Sequence, residues 1–112
     1  MAYTEIDTDS LFARMFGAAR EESRDSWSSI RGLVKVELKS LARKIKEAGK
    51  AVATGDISEE NARLLLRLDR VQIATVVAAT SAITLPAAER AIGSSIDAVR
   101  ESVNGALGFY LL

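Results

Sequence analysis

The stretch VQIATVVAATSAITLPAA, Val71 to Ala88, holds no charged residue in a 112-residue chain of which 27% is charged. As a helix its eighteen residues would span about 27 Å, close to the roughly 30 Å of a bilayer core. Length admits a membrane span; composition argues against one. Six of the residues are Val, Ile or Leu, six are Ala, and the remainder are three Thr, a Gln, a Ser and a Pro. Charges stand on both sides, with Arg67, Asp69 and Arg70 before the run and Glu89 and Arg90 after it.

At about 100° per residue the run sorts into two faces. Ala74, Ala78, Ala82, Ser81, Thr75 and Ala79 gather on a thin side, and Ile73, Val76, Val77 and Ile83 on a bulky one. Small residues at i, i+4 and i+8 let a second helix approach closely, in soluble bundles as in membranes. A helix with two unlike apolar faces suits a place between two neighbours. The reading is a buried central helix, with a membrane-inserting segment over 71–107 as the alternative.

Outward from this run, a single proline, few aromatics and abundant Ala, Leu, Glu, Lys and Arg favour helix almost throughout. The expected fold class is all-α, in one domain over 1–112. Upstream, Trp27, Ile30, Val34, Leu38, Leu41, Ile45, Ala48 and Val52 recur three or four residues apart and form one seam. The seam continues back through Ala19, Phe16 and Phe12, with Asp9 or Ser10 as N-cap. This predicts a nine-residue N-terminal extension and a long first helix over 10–53, about 65 Å if unbroken. Glu21 to Ser26 is polar, and a break there would divide it in two.

The segment TGDISEE punctuates the chain. Gly55 suits a left-handed C-terminal cap, Ser58 or Asp56 caps the next helix, and Glu59 and Glu60 sit where the helix dipole favours negative charge. A helical hairpin at 54–58 and a central helix over 59–84 follow. Leu85-Pro86 ends that helix and opens a third over 86–108, seamed by Ile92, Ile96, Val99, Val103 and Ala106 or Leu107. An apolar tail, 109–112, completes a three-helix arrangement.

These lengths imply assembly. A folded-back second helix covers the first only from about residue 52 to residue 26, leaving Leu11, Phe12, Met15 and Phe16 without cover. The tail residues Phe109, Tyr110, Leu111 and Leu112 raise the same difficulty. A second copy can hide both clusters; so can a bent first helix that closes a four-helix bundle, with the tail folded over its base. The expected oligomer interface comprises these eight residues and the small face Ala74, Ala78 and Ala82.

Net charge is zero but segregated: about −3 over residues 1–30, +5 over 31–50 and −2 over the rest. Arg31, Lys35, Lys39, Arg43, Lys46 and Lys50 fall on one side of the first helix as a basic stripe. The stripe is read first as a solvated face. It also suits the acidic segment Glu5, Asp7, Asp9, Glu21, Glu22 and Asp25 of a neighbouring copy, or phosphates of nucleic acid or lipid.

Histidine and cysteine are both absent, which removes imidazole bases, thiolate nucleophiles, disulfides and the usual zinc and di-iron sites. No phosphate-binding glycine loop or nucleophile elbow occurs. Asp69, placed by helix angle among Leu65, Leu66, Ile73 and Val76, is the carboxylate most exposed to desolvation. No catalytic, cofactor-binding or metal-ligating residue is assigned, no cofactor is expected, and no small-molecule substrate is inferred. The acidic, polar start MAYTEIDTDSLF differs from basic targeting segments, giving a cytoplasmic expectation. The leading reading is a non-enzymatic, self-associating helical assembly protein whose partner is a second copy. A membrane-active protein of pore or holin type, with the basic stripe on anionic headgroups, is the alternative. A small nucleic-acid or anion binder using the stripe ranks last.

Overall fold

A computed structural model of the protein describes residues 6–112 and contains four α-helices. They are α1 (Thr8–Glu22), α2 (Trp27–Ala53), α3 (Glu59–Ser81) and α4 (Leu85–Leu107), with a 3₁₀ turn, Arg24–Ser26, between the first two. The all-α expectation holds, and the three-helix count is corrected to four. Of the nine-residue N-terminal extension, residues 1–5, with Glu5 of the acidic segment, lie outside the described residues.

The break falls in the polar stretch 21–26. Ser23 leaves helical geometry at φ −113°, ψ 27°, and its amide still reaches the carbonyls of Ala19 and Arg20. No residue of the 3₁₀ turn is buried, so no packing holds this segment in a continuous helix. Ser and Asp also compete with helical hydrogen bonding through their own side chains. The chain reverses there. A straight 65 Å rod could not fit a body measuring 43 × 22 × 18 Å. Phe12 stacks on Phe16 at 5.2 Å, and Phe16 meets Trp27 edge-on at 4.9 Å, filling the inner corner of the turn. Arg24 beside Glu21 lowers the pKa of that carboxyl by hydrogen bond and charge, and the pair is exposed.

Each helix packs on two neighbours, α1 on α2 and α4, and α3 on α2 and α4. Paired residues run in opposite senses along both seams of α4, and the short connections 23–26 and 54–58 turn α2 back on α1 and α3 back on α2. Glu22 lies near Arg90 while Arg14 donates to the Ala98 carbonyl and the Ser102 hydroxyl; Lys44 meets Asp69; Arg63 reaches Tyr110 and Arg70 approaches Gly93. The result is an up-down-up-down four-helix bundle around one core. The α2 seam is as expected, with Ile30, Val34, Leu38, Leu41 and Ile45 fully buried.

The helix ends follow their capping residues. Asp7, rather than Asp9 or Ser10, caps α1 by accepting from the Asp9 and Ser10 amides at 3.1 and 3.4 Å. Ser58 accepts from Asn61 N–H and Thr84 from Ala87 N–H, with Pro86 in the first turn of α4. Gly55 and Gly108 take left-handed conformations at φ 80°. The stretch Val71–Ala88 is not one helix: α3 stops at Ser81 and the chain turns through Ala82, Ile83 and Thr84. Among the described residues no helix is long and apolar enough to cross a membrane.

The predicted thin and bulky faces are also redrawn. Ile73, Ala74 and Val77 share the buried arc, while Thr75 and Ala79 face solvent. Ala82 is exposed at the C-cap of α3 with φ 56°, the single non-glycine left-handed residue among those described. A Cβ is disfavoured there. Replacing Ala82 by Gly should therefore raise stability by about 0.5–1 kcal/mol, as read from the midpoint of urea unfolding.

Candidate functional site

The α3 helix has more apolar surface than its bundle uses. Ala62, Leu66, Ile73, Ala74 and Val77 face the core. Leu64 and Leu68 each stand two residues from Leu66, about 200° around the helix, and Val71 lies on their line. Leu66 is 6% exposed, whereas Leu64, Leu68 and Val71 are 50, 58 and 59% exposed. Leu65 widens this ridge towards α2 and is half exposed. Thr75 extends it, its hydroxyl turned back to the Val71 carbonyl at 2.9 Å.

The ridge runs for about three turns without an ionisable group on its crest. Charges border it. On the α2 side, Lys44 Nζ meets Asp69 Oδ1 at 3.4 Å, so the Asp69 carboxylate is partnered by a lysine and still partly exposed. On the α4 side stand Arg63, Arg67 and Arg70. Arg63 donates to the Tyr110 carbonyl at 2.8 Å and lies 3.9 Å from Glu59. The isolated surface leucines of a soluble protein need no account, but an aligned row on one helix does.

The expected interface residues are dispersed. Leu11 and Met15 are buried by their own chain, because α1 folds back on α4 and α2; neither is left uncovered. Phe12 and Phe16 are partly buried against the core. Ala74 is buried in the same bundle, Ala78 is half-buried, and Ala82 is the turn residue described above. The tail folds over the bundle. Asn104 Oδ1 accepts from the amides of Leu111 and Leu112, and its Nδ2 donates to the Leu112 carbonyl. This seats Leu111 in the core and leaves Phe109 and Leu112 partly buried, while Tyr110 is 78% exposed.

The six cations of the basic stripe lie on α2. Arg31, Lys35, Lys39, Arg43 and Lys50 are exposed and Lys46 is half-buried. Lys39 Nζ stands 5.5 Å from the Phe12 ring centroid, a cation–π distance. Arg31, Lys35, Arg43 and Lys50 form no ion pair with any described residue. The acidic segment assigned to meet them is partly engaged within its own chain, with Asp7 capping α1, Glu21 on Arg24 and Glu22 near Arg90. Among the described residues no group of three acidic side chains could hold a metal ion.

No protein-family model, curated protein or solved structure matches the chain.

The ridge and the core arc of α3 should respond oppositely to truncation. Leu66→Ala should cost about 2–4 kcal/mol. Leu68→Ala, two residues away, should change stability by no more than about 0.5 kcal/mol in dilute solution. Urea unfolding of the two variants side by side measures the contrast.

Proposed function

We propose that the protein is a non-enzymatic helical assembly protein whose copies associate through the α3 ridge. The observation that carries this reading is the row Leu64, Leu68 and Val71, exposed on a bundle whose other large apolar clusters are mostly covered. A symmetric pair brings the same patch against its own image, so an ionised group near the two-fold axis would meet a like charge. The crest of the ridge carries none. Zero net charge also leaves no long-range repulsion between copies. The basic stripe has the opposite character, since against itself it would repel.

Under this reading the interface is narrow, formed by Leu64, Leu65, Leu68 and Val71 with Thr75 and Gln72 at its margin. Ridges of this kind interdigitate when two helices cross, and the half-exposed leucines become the desolvated centre of the contact. Sedimentation or light scattering over about 1–200 μM, the concentrations at which a weak dimer forms, should show mass rising towards two chains. Leu68→Glu should weaken that association by at least about tenfold while leaving the helical circular-dichroism spectrum unchanged. A monomer across the whole range overturns the reading.

A second reading rests on a separate observation, the row of exposed cations on α2. Arg31, Lys35, Lys39 and Arg43 repeat every fourth residue over about 18 Å of helix, a row able to follow phosphates. Binding of this kind weakens steeply as salt rises. Retention on heparin or duplex DNA at low salt, lost in a Lys35→Glu, Lys39→Glu, Arg43→Glu variant, is the outcome expected of it.

A further inference from the structure

The geometry points to a binding site for a small amphiphilic anion, a carboxylate with a short hydrocarbon body, in the groove that the C-terminal tail closes between α3 and α4. The groove encloses about 240 Å³, slightly below the range of drug-sized pockets. Its floor is hydrocarbon from three helices and the tail: Leu41, Leu66, Ile96, Leu111 and Leu112. Its polar side chains are three guanidinium groups, those of Arg63, Arg67 and Arg70, and no carboxylate side chain lines it.

Three like charges around an apolar floor repel one another unless an anion joins them. Arg63 is satisfied by the Tyr110 carbonyl, with Glu59 at 3.9 Å. Arg67 and Arg70 have no ion pair among the described residues. Arg70 is half-buried, and its guanidinium lies across α4 at Gly93, where an added Cβ would meet Nη2 at 3.1 Å. A glycine inside a helix is disfavoured relative to alanine, and here its bare backbone makes the room in which the guanidinium rests. A guanidinium presents paired N–H donors that match a carboxylate. The head of the ligand would bridge Arg67 and Arg70, and its chain would lie on Leu66, Ile96 and Leu111. This site is independent of the α3 ridge and of association between copies.

Titration calorimetry of the full chain with sodium octanoate tests the assignment. Saturable binding at one site per chain is expected, with 1-octanol and sodium acetate each binding at least about tenfold more weakly because each lacks one half of the recognition. Arg67→Gln with Arg70→Gln should weaken octanoate binding by at least about tenfold with the circular-dichroism spectrum retained. Gly93→Ala, which keeps the helix and displaces Arg70, should weaken it several-fold. Absence of saturable octanoate binding, or binding unchanged in the double-arginine variant, overturns the proposal. So does arginine-dependent sedimentation with phosphatidylglycerol vesicles in the absence of octanoate binding, which would assign the anion to a lipid surface.

Discussion

Three residues of 3₁₀ helix between Ser23 and Trp27 decide what Leu11 and Met15 see. With the turn in place, α1 lies antiparallel to both α2 and α4, and these side chains drop into the core. Without it, the same residues would stand on a rod projecting past the end of the bundle, and burial would require another molecule. The turn is a permissive element rather than a strong one. It buries nothing of its own and is bordered by an exposed Arg24–Glu21 pair, so the apolar corner of Phe12, Phe16 and Trp27 and the long seam with α4 are what hold α1 down.

Much of this architecture was legible because its signals are local. The α2 seam, the Gly55–Ser58 hairpin and the Pro86 start each follow from residues within one or two turns of the feature. The misreadings concern relations between distant segments. A polar hexapeptide within a helical sequence is compatible with a straight exposed face or with a reversal, and the periodic seam on both sides of it favours continuity. Only the unmet burial of Leu11 and Met15 argues for reversal, and a second copy answers that need equally well in one dimension. The tail is similar: Leu111 reaches the core because Asn104, seven residues earlier, offers one carbonyl to two amides. The α3 ridge went unassigned for another reason. In the run Leu64-Leu65-Leu66-Arg67-Leu68 hydrophobicity alone does not say which leucine points inward, although the angular opposition of Leu66 to Leu64 and Leu68 was present in their spacing.

Charge is distributed so that the surfaces differ in kind while the total is zero. The crest of α3 is uncharged, the outer face of α2 is cationic, and the groove behind Arg67 combines cations with hydrocarbon. Like can meet like only on the first. The second suits an extended polyanion, and the third a small molecule with a charged end.

The antiparallel docking of α1 on α4 brings the start of α1 beside the last turns of α4. Ile6, Asp7 and Ser10 share a groove with Ser102, Val103 and Ala106. Three of the four helix seams join elements adjacent along the chain; the fourth links the first helix to the last. Covalent order and spatial order therefore form the same closed ring, and the ring has no privileged starting point. Opening the ring at the exposed Gly55 hairpin interrupts no helix and leaves the packed faces of all four seams unaltered.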